Sequence, residues 1–372
     1  MKTTLQYQSQ LDWALAHGLF LHPSIERREV NGIYGMYATA DIPKETLLAS
    51  FPCDQLIDST KGPFGDSEDA RALNWLHAAA CELGNKNTTF NGVIAGFESL
   101  AELKRYSYYF FNEDDLATLN DMHPVLCMWV REAKQQADHI IDIVAKAEPS
   151  CSKEDIVCTY LNMRSRAFHP FGVVPVLDQF NHSDLLGQSD KFSDGKLCVH
   201  AKVDYQAGAQ LFISYGAKDL YDHAIHYNYF DQGGPHFINF GKKAVHSAEG
   251  AIGQKVLAHI KRFFPVNELD IAGQKAFNLN APLVLLIEDS PSVDLVKALT
   301  EISRVRINKP AQETEVKAFA IDYFRTLLDD QIKLNQVDQV DESTVPDKLL
   351  RFYHLLKKEK AMLMANRQKL PT

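Results

Sequence analysis

The chain has no apolar run approaching the ~20 residues that cross a bilayer, so no membrane span is expected. It has no surplus of positive charge either. Its 39 Lys and Arg face 48 Asp and Glu, a formal net charge of −9. Phosphate backbones are gripped by clustered basic side chains, so a nucleic-acid partner is not expected. The 6 cysteines form no Cys-x-x-Cys, and no pair of them lies near a His at zinc-finger spacing. The opening stretch MKTTLQYQSQLDWALAHG lacks the apolar block of a secretory signal. Scattered cysteines behind such a start read as reduced core residues of a cytoplasmic protein, and no metal is expected.

Several catalytic signatures are missing too. No G-x-S-x-G elbow occurs, and Ser183 directly follows His182, where the two side chains cannot easily hydrogen-bond. His182, Asp178 and His200 lack paired ligand spacing such as H-E-x-x-H, and no GxxxxGK[ST] loop is present. There is no internal repeat and no low-complexity segment.

What is present is a chain of 372 residues, long enough for two or three domains. Residues 3–20 have a helical apolar pattern, punctuated by Gly18 and Pro23. Residues 30–51 read as β structure around a turn at Asp41 to Lys44. From about residue 67 to 161 the pattern is helical, with Ser152 as an N-cap before the last helix. Strands are predicted at 173–177, 197–203, 210–213 and 237–245, with helical character over 219–227. Helices are then predicted at 250–263, 283–288, 293–302, 312–329 and 344–368.

The chemistry concentrates between Asn162 and Tyr215. The apolar run from Val173 leads into Asp178, Asn181 and His182, and the run Leu211 to Ile213 ends in Ser214-Tyr215-Gly216. Strand ends that present polar groups are a common way for a scaffold to aim a site. Asn and His offer hydrogen bonds to a nucleobase and an amino-acid moiety, and a Tyr hydroxyl can sit beside a reacting amine. That set suits group transfer in which the cofactor carries the chemistry and the protein aligns it.

Three runs, Gly32-Ile33-Tyr34-Gly35-Met36-Tyr37-Ala38, Asp178-Gln179-Phe180-Asn181-His182-Ser183 and Ile213-Ser214-Tyr215-Gly216, resemble the successive motifs of SET-domain protein methyltransferases. The long helical insertion, the run Ser165-Arg166-Ala167-Phe168 and the helical C-terminal third resemble the Rubisco large-subunit methyltransferase class. The resemblance implies an α+β fold: a β-rich SET core over 1–245 with a helical insertion at about 62–162, then an all-helical C-terminal substrate-binding domain over 246–372. It implies S-adenosylmethionine as cofactor, held by Gly32, Ile33, Tyr34, Gly35, Arg166, Asn181, His182 and Tyr215. Tyr215 would be the catalytic tyrosine. Phe168 and Tyr227 would line the substrate side, and Asp178 would face the substrate or support its loop.

The implied activity is N-methylation of a lysine in a non-histone protein. Methylation of a histidine, or a silent interaction module, stands as the alternative. Phe168 matches an aromatic position of lysine-modifying members and tilts the target toward lysine. The chain departs from the family pattern in the wider Gly32–Gly35 spacing, in Gln179-Phe180 and in Asn228.

Overall fold

The computed structural model describes residues 4–30, 33–84, 90–168, 172–183, 186–187, 190–215, 222–227, 237–239, 246–247, 249–262, 266–271, 274–279, 284–286, 290–291, 299–303 and 313–370. The chain opens with α1 (Thr4–Ala16), β1 (Phe20–Leu21), β2 (Ile25–Val30), β3 (Ile33–Ala38) and β4 (Leu47–Pro52). The insertion holds α2 (Glu68–Gly84), α3 (Asn91–Ile94), α4 (Leu100–Leu103), α5 (Glu113–Met122), α6 (Pro124–Ala147) and α7 (Lys153–Arg166). Short strands follow: β5 (Ala167–Phe168), β6 (Gly172–Val173), β7 (Asn181–His182), β8 (Lys191–Ser193), β9 (Lys196–His200) and β10 (Gln210–Ile213). The last third has β11 (Phe237–Asn239), β12 (His246–Ser247), α8 (Gly250–Ile260), β13 (Val266–Ile271), β14 (Gln274–Leu279), β15 (Val284–Leu286), β16 (Ser290–Pro291), α9 (Glu313–Leu334) and α10 (Asp347–Lys369).

Two compact units result: residues 1–112, 128–216 and 222–232 form one, and residues 113–127, 217–221 and 233–372 the other. In the first unit two four-stranded sheets, ordered β1-β4-β9-β8 and β2-β3-β10-β7, enclose a core of Met36, Leu48, Phe51, Leu177, Phe180 and Leu211. Gly18 ends α1 with a φ of +90°, where a Cβ would come within 2.9 Å of Pro52. The insertion helices bury Leu76, Ala80, Ile141, Val144, Ile156 and Tyr160 against one another. Ser152 caps α7, its hydroxyl accepting the Asp155 N–H at 3.0 Å.

In the second unit α8, α9 and α10 share a core of Val256, Ile260, Phe324, Leu328 and Leu363. The buried Asn335 amide donates to the Leu356 carbonyl at 2.8 Å, and Lys348 pairs with Asp115 of α5. The helical frame of the C-terminal region is as expected, but strands stand within it. Val266–Ile271 and Gln274–Leu279 form the antiparallel β13–β14 pair, and Val284–Leu286, within the helix expected at 283–288, is β15. A short continuous apolar run such as Leu283 to Ile287 carries no periodicity that separates strand from helix. No described helix is long and apolar enough to cross a membrane.

The strand expected over 173–177 is also corrected. Pairing stops at Val173, and Leu177–Gln179 is a 3-10 turn. Pro175 has no N–H for a ladder, and Val176 turns the chain at a φ of 70°. That conformation is costly for a β-branched residue, about 1–3 kcal/mol, and persists because Val176 is fully buried in the core.

Candidate active site

The site forms where β10 changes partner. β10 pairs antiparallel with β3 through Gln210 and Leu211, and parallel with β7 through Phe212 and Ile213. Asn181 and His182 therefore lie beside the last residues of β10, two positions before Tyr215. The Asn181 amide donates to the Tyr34 carbonyl of β3 at 2.8 Å, linking the two edges of the site. His182 is fully buried, and its Nδ1 accepts the Tyr215 backbone N–H at 3.0 Å, which puts the ring proton on Nε2.

Tyr215 is held on three sides. Its ring stacks on His182, centroids 5.0 Å apart, and on Tyr227 at 4.7 Å. Its hydroxyl donates to the Phe180 carbonyl at 2.9 Å. Burial, with Tyr227 and Asp178 adding and Arg166 opposing, holds its phenol above the ordinary tyrosine range. The hydroxyl proton is thus occupied, and the oxygen has its lone pairs left to accept. Tyr227 ends the helical turn His223–Tyr227, which is anchored by a hydrogen bond between Arg164 of α7 and the His226 ring. Phe168 and Tyr215 each pack, partly buried, against the core cluster of the first unit.

Arg166, the last residue of α7, donates from Nη1 to Asp178 at 3.0 Å and approaches Glu98 at 3.6 Å. The Asp178 carboxylate is wholly buried and also accepts from Gln10 at 3.4 Å. Glu98 in turn takes the Tyr106 hydroxyl. Burial alone would push Arg166 down, but Glu98 and Asp178 overcome it and hold it above the usual arginine value. Nearby, Arg27 lies over the Tyr34 ring at 3.8 Å and the Tyr7 ring at 4.9 Å. Burial, opposed by Arg27 and helped by Asp178, pushes Tyr7 up to about 12.

Gly35 shows why this strand carries glycine. A Cβ there would lie 2.3 Å from Gln210 Nε2 and 2.9 Å from Asn181 Nδ2. Gln210 can swing away, but Asn181 cannot move without losing Tyr34. We therefore expect Gly35→Ala to cost about 1–3 kcal/mol of stability, the range for overpacking. It should weaken cofactor binding more than Tm suggests, a split read by calorimetric titration beside a thermal melt.

Of the residues predicted from sequence, Tyr34, Gly35, Asn181, His182, Tyr215 and Tyr227 come together around the end of β10, and Phe168 packs on the same core. Arg166 and Asp178 form a buried pair behind them. Ile33 is placed by its backbone, pairing with Val30, whereas Gly32 lies outside the described residues. The sequence did not single out Glu98, Gln10, Arg27 or Gln210. Each is an ordinary polar residue in its own segment, and only long-range folding brings it to the site.

The SET domain family model matches residues 33–216. A structure of Rubisco LSMT bound to sinefungin and monomethyllysine has a TM-score of 0.62 at 13% identity, covering 99% of this chain and 93% of that one. A structure of the SET domain of LSMT bound to lysine and AdoHcy has a TM-score of 0.65 at 12% identity, covering 98% and 91%. A structure of Rubisco LSMT bound to AdoMet has a TM-score of 0.63 at 13% identity, covering 97% and 90%. No curated protein sequence matches. The chain carries a SET domain over residues 33–216, in a fold shared with Rubisco LSMT.

Proposed function

We propose that this chain is an S-adenosylmethionine-dependent methyltransferase whose acceptor is a lysine of a non-histone protein. The observation that carries the reading is the Tyr215 hydroxyl, with its proton held by Phe180 and its ring stacked on His182 and Tyr227. An oxygen fixed in this way accepts an N–H of a neutral amine and so orients the nitrogen lone pair for attack.

The donor set fits the amino-acid end of the cofactor. Arg27 Nε, Arg166 Nε and Gln210 Nε2 are buried N–H donors with no acceptor among the described residues. A carboxylate and its neighbours would satisfy such groups. Asn181, His182, Arg166, Tyr215 and the strand from Gly32 to Gly35 would hold the cofactor. When bound, it supplies a methyl group activated on a sulfonium.

The chain's own side chains do the aligning. Phe168, Tyr215 and Tyr227 provide an aromatic wall that disfavours an ammonium and so favours the neutral amine. Alignment of this kind lowers barriers by about 7–11 kcal/mol at the upper end of intramolecular precedent. The described cysteines are all free thiols, which suits a cytoplasmic setting.

The test is transfer of labelled methyl from S-adenosylmethionine into a cell lysate, followed by amino-acid analysis of the labelled protein. Label in methyl-lysine supports the reading. Label in methyl-histidine moves the acceptor to histidine. Cofactor binding with no label in any lysate would leave an interaction module.

A further inference from the structure

A second cluster of reactive side chains lies in the helical insertion and shares no residue with the Tyr215 site. His77 and Cys81 stand one helical turn apart on α2, so they share a face. After α6 the chain turns tightly, with the Cys151 N–H donating to the Glu148 carbonyl at 3.2 Å. The turn carries Glu148 and Cys151 to that face of α2. The Sγ atoms of Cys81 and Cys151 are 3.2 Å apart. Cys81 Sγ lies 4.0 Å from His77 Nε2, and His77 Nε2 lies 3.5 Å from Glu148 Oε2. Ligand atoms of His77, Cys81 and Glu148 all fall within 4.8 Å of one another.

The atoms of His77, Cys81 and Glu148 lie close to the spacing of a coordination shell, and Cys151 adjoins it through Cys81. Ligands at zinc–sulfur and zinc–nitrogen distances of about 2.0–2.3 Å in a tetrahedron are separated from each other by roughly 3.3–3.8 Å. The donor types also match: two thiolates, an imidazole and a carboxylate suit a borderline-soft divalent cation and do not suit Mg²⁺ or Ca²⁺. Supporting contacts are in place. The Ser150 hydroxyl donates to Glu148 Oε1, which leaves Oε2 toward His77. The His77 side chain is 19% exposed and that of Glu148 31%, so a cation has a route in from solvent.

We propose that His77, Cys81 and Glu148, joined by Cys151 from beside Cys81, bind one Zn²⁺, or a cation of the same class, and staple α2 to the turn that enters α7. Binding converts two thiols to thiolates and releases their two protons to solvent, with no change of oxidation state. The bound metal supplies the driving force for that proton loss. The staple would stiffen the root of α7, whose far end carries Arg164 and Arg166. Sequence spacing does not reveal the site, because the two half-sites, His-x-x-x-Cys and Glu-x-x-Cys, lie 70 positions apart at their cysteines.

The experiment uses the full chain, reduced and stripped by chelator, titrated with Zn²⁺ against a chromophoric competitor and separately with Co²⁺. One Zn²⁺ per chain, a rise in Tm on adding it, and a Co²⁺ spectrum with thiolate charge-transfer and tetrahedral ligand-field bands are expected. Cys81→Ser/Cys151→Ser should weaken Zn²⁺ binding by more than about 100-fold, the upper end for losing a mere supporting partner. Should that variant fail to fold, His77→Ala offers a milder change that must still shift the Co²⁺ bands. Absence of stoichiometric Zn²⁺ binding by the reduced protein overturns the proposal. So does a Co²⁺ spectrum without thiolate bands. A Cys81–Cys151 disulfide in the oxidised protein, with no metal taken up after reduction, would show a redox pair in place of a metal site.

Discussion

Tyr215→Phe is expected to lower the rate of methyl transfer about 100-fold, the scale of a misplaced reactant in a site that works by alignment. The ring stays, so its stacking on His182 and Tyr227 should persist. What is lost is the hydroxyl oxygen and its bond to the Phe180 carbonyl. One such hydrogen bond is worth about 1 kcal/mol, so the fold should survive with a small drop in Tm. Cofactor affinity, measured by calorimetric titration, should fall far less than the rate, because Asn181, His182 and Arg166 are untouched and the Tyr215 ring remains. A variant that keeps near-normal initial rates of label incorporation would remove Tyr215 from the chemistry.

The wild-type pH profile tests the same residue in another way. Burial and the neighbouring Tyr227 hold the phenol above its ordinary range, so the hydroxyl keeps its proton as pH rises. The rate should climb between pH ~7 and ~10, as more of the proposed acceptor lysine becomes neutral, with no falling limb from ionisation of Tyr215 in that window. A descending limb that disappears in Tyr215→Phe would contradict the assignment.

Asp178→Ala is expected to have the largest effect on stability. The carboxylate is fully buried, and it takes Arg166 at 3.0 Å and Gln10 at 3.4 Å. Its removal leaves the mostly buried Arg166 with Glu98 at 3.6 Å as its remaining ion partner among the described residues. Breaking one side of a buried pair costs about 3–5 kcal/mol, because the other charge stays out of water. A domain of this size loses about 2–4 °C of Tm per kcal/mol, so a thermal melt resolves the change easily. Asp178→Asn keeps the shape and one acceptor oxygen and should lose less.

The same variants decide between the two roles the sequence left open for this residue. A support for the loop lowers Tm in Asp178→Ala and leaves KM for the protein substrate near normal in the milder Asp178→Asn. A residue that faces the substrate raises KM in Asp178→Asn without a matching drop in Tm. The wholly buried carboxylate favours the first outcome.

The motifs were legible because they are local. Asp178 to Ser183 and Ile213 to Gly216 each keep their chemistry within a few residues, and the combination points to one family. Helices were legible for the same reason: α2, α6 and α7 close their hydrogen bonds within the segment, and Ser152 announces the start of α7. Strand pairing was less so. Pro175 signals that a ladder cannot run through to Leu177, but no residue there records that burial in the core holds Val176 at positive φ. Nor did residues 266–279 declare a hairpin.

The sequence by itself supplied the resemblance to SET-domain methyltransferases, the cofactor chemistry that resemblance implies, and the candidacy of Asn181, His182 and Tyr215, because those rest on residue types in order along the chain. Only the tertiary structure decided which groups meet. It placed Asn181 on the Tyr34 carbonyl, parked the Tyr215 proton on Phe180, and set Arg166 between Asp178 and Glu98. It also drew His77 and Cys81 to Glu148 and Cys151. The physical reason is that an ion pair or ligand shell depends on distances of a few ångströms between segments far apart in sequence. Those distances are set by how the helices and strands pack, which no local pattern records.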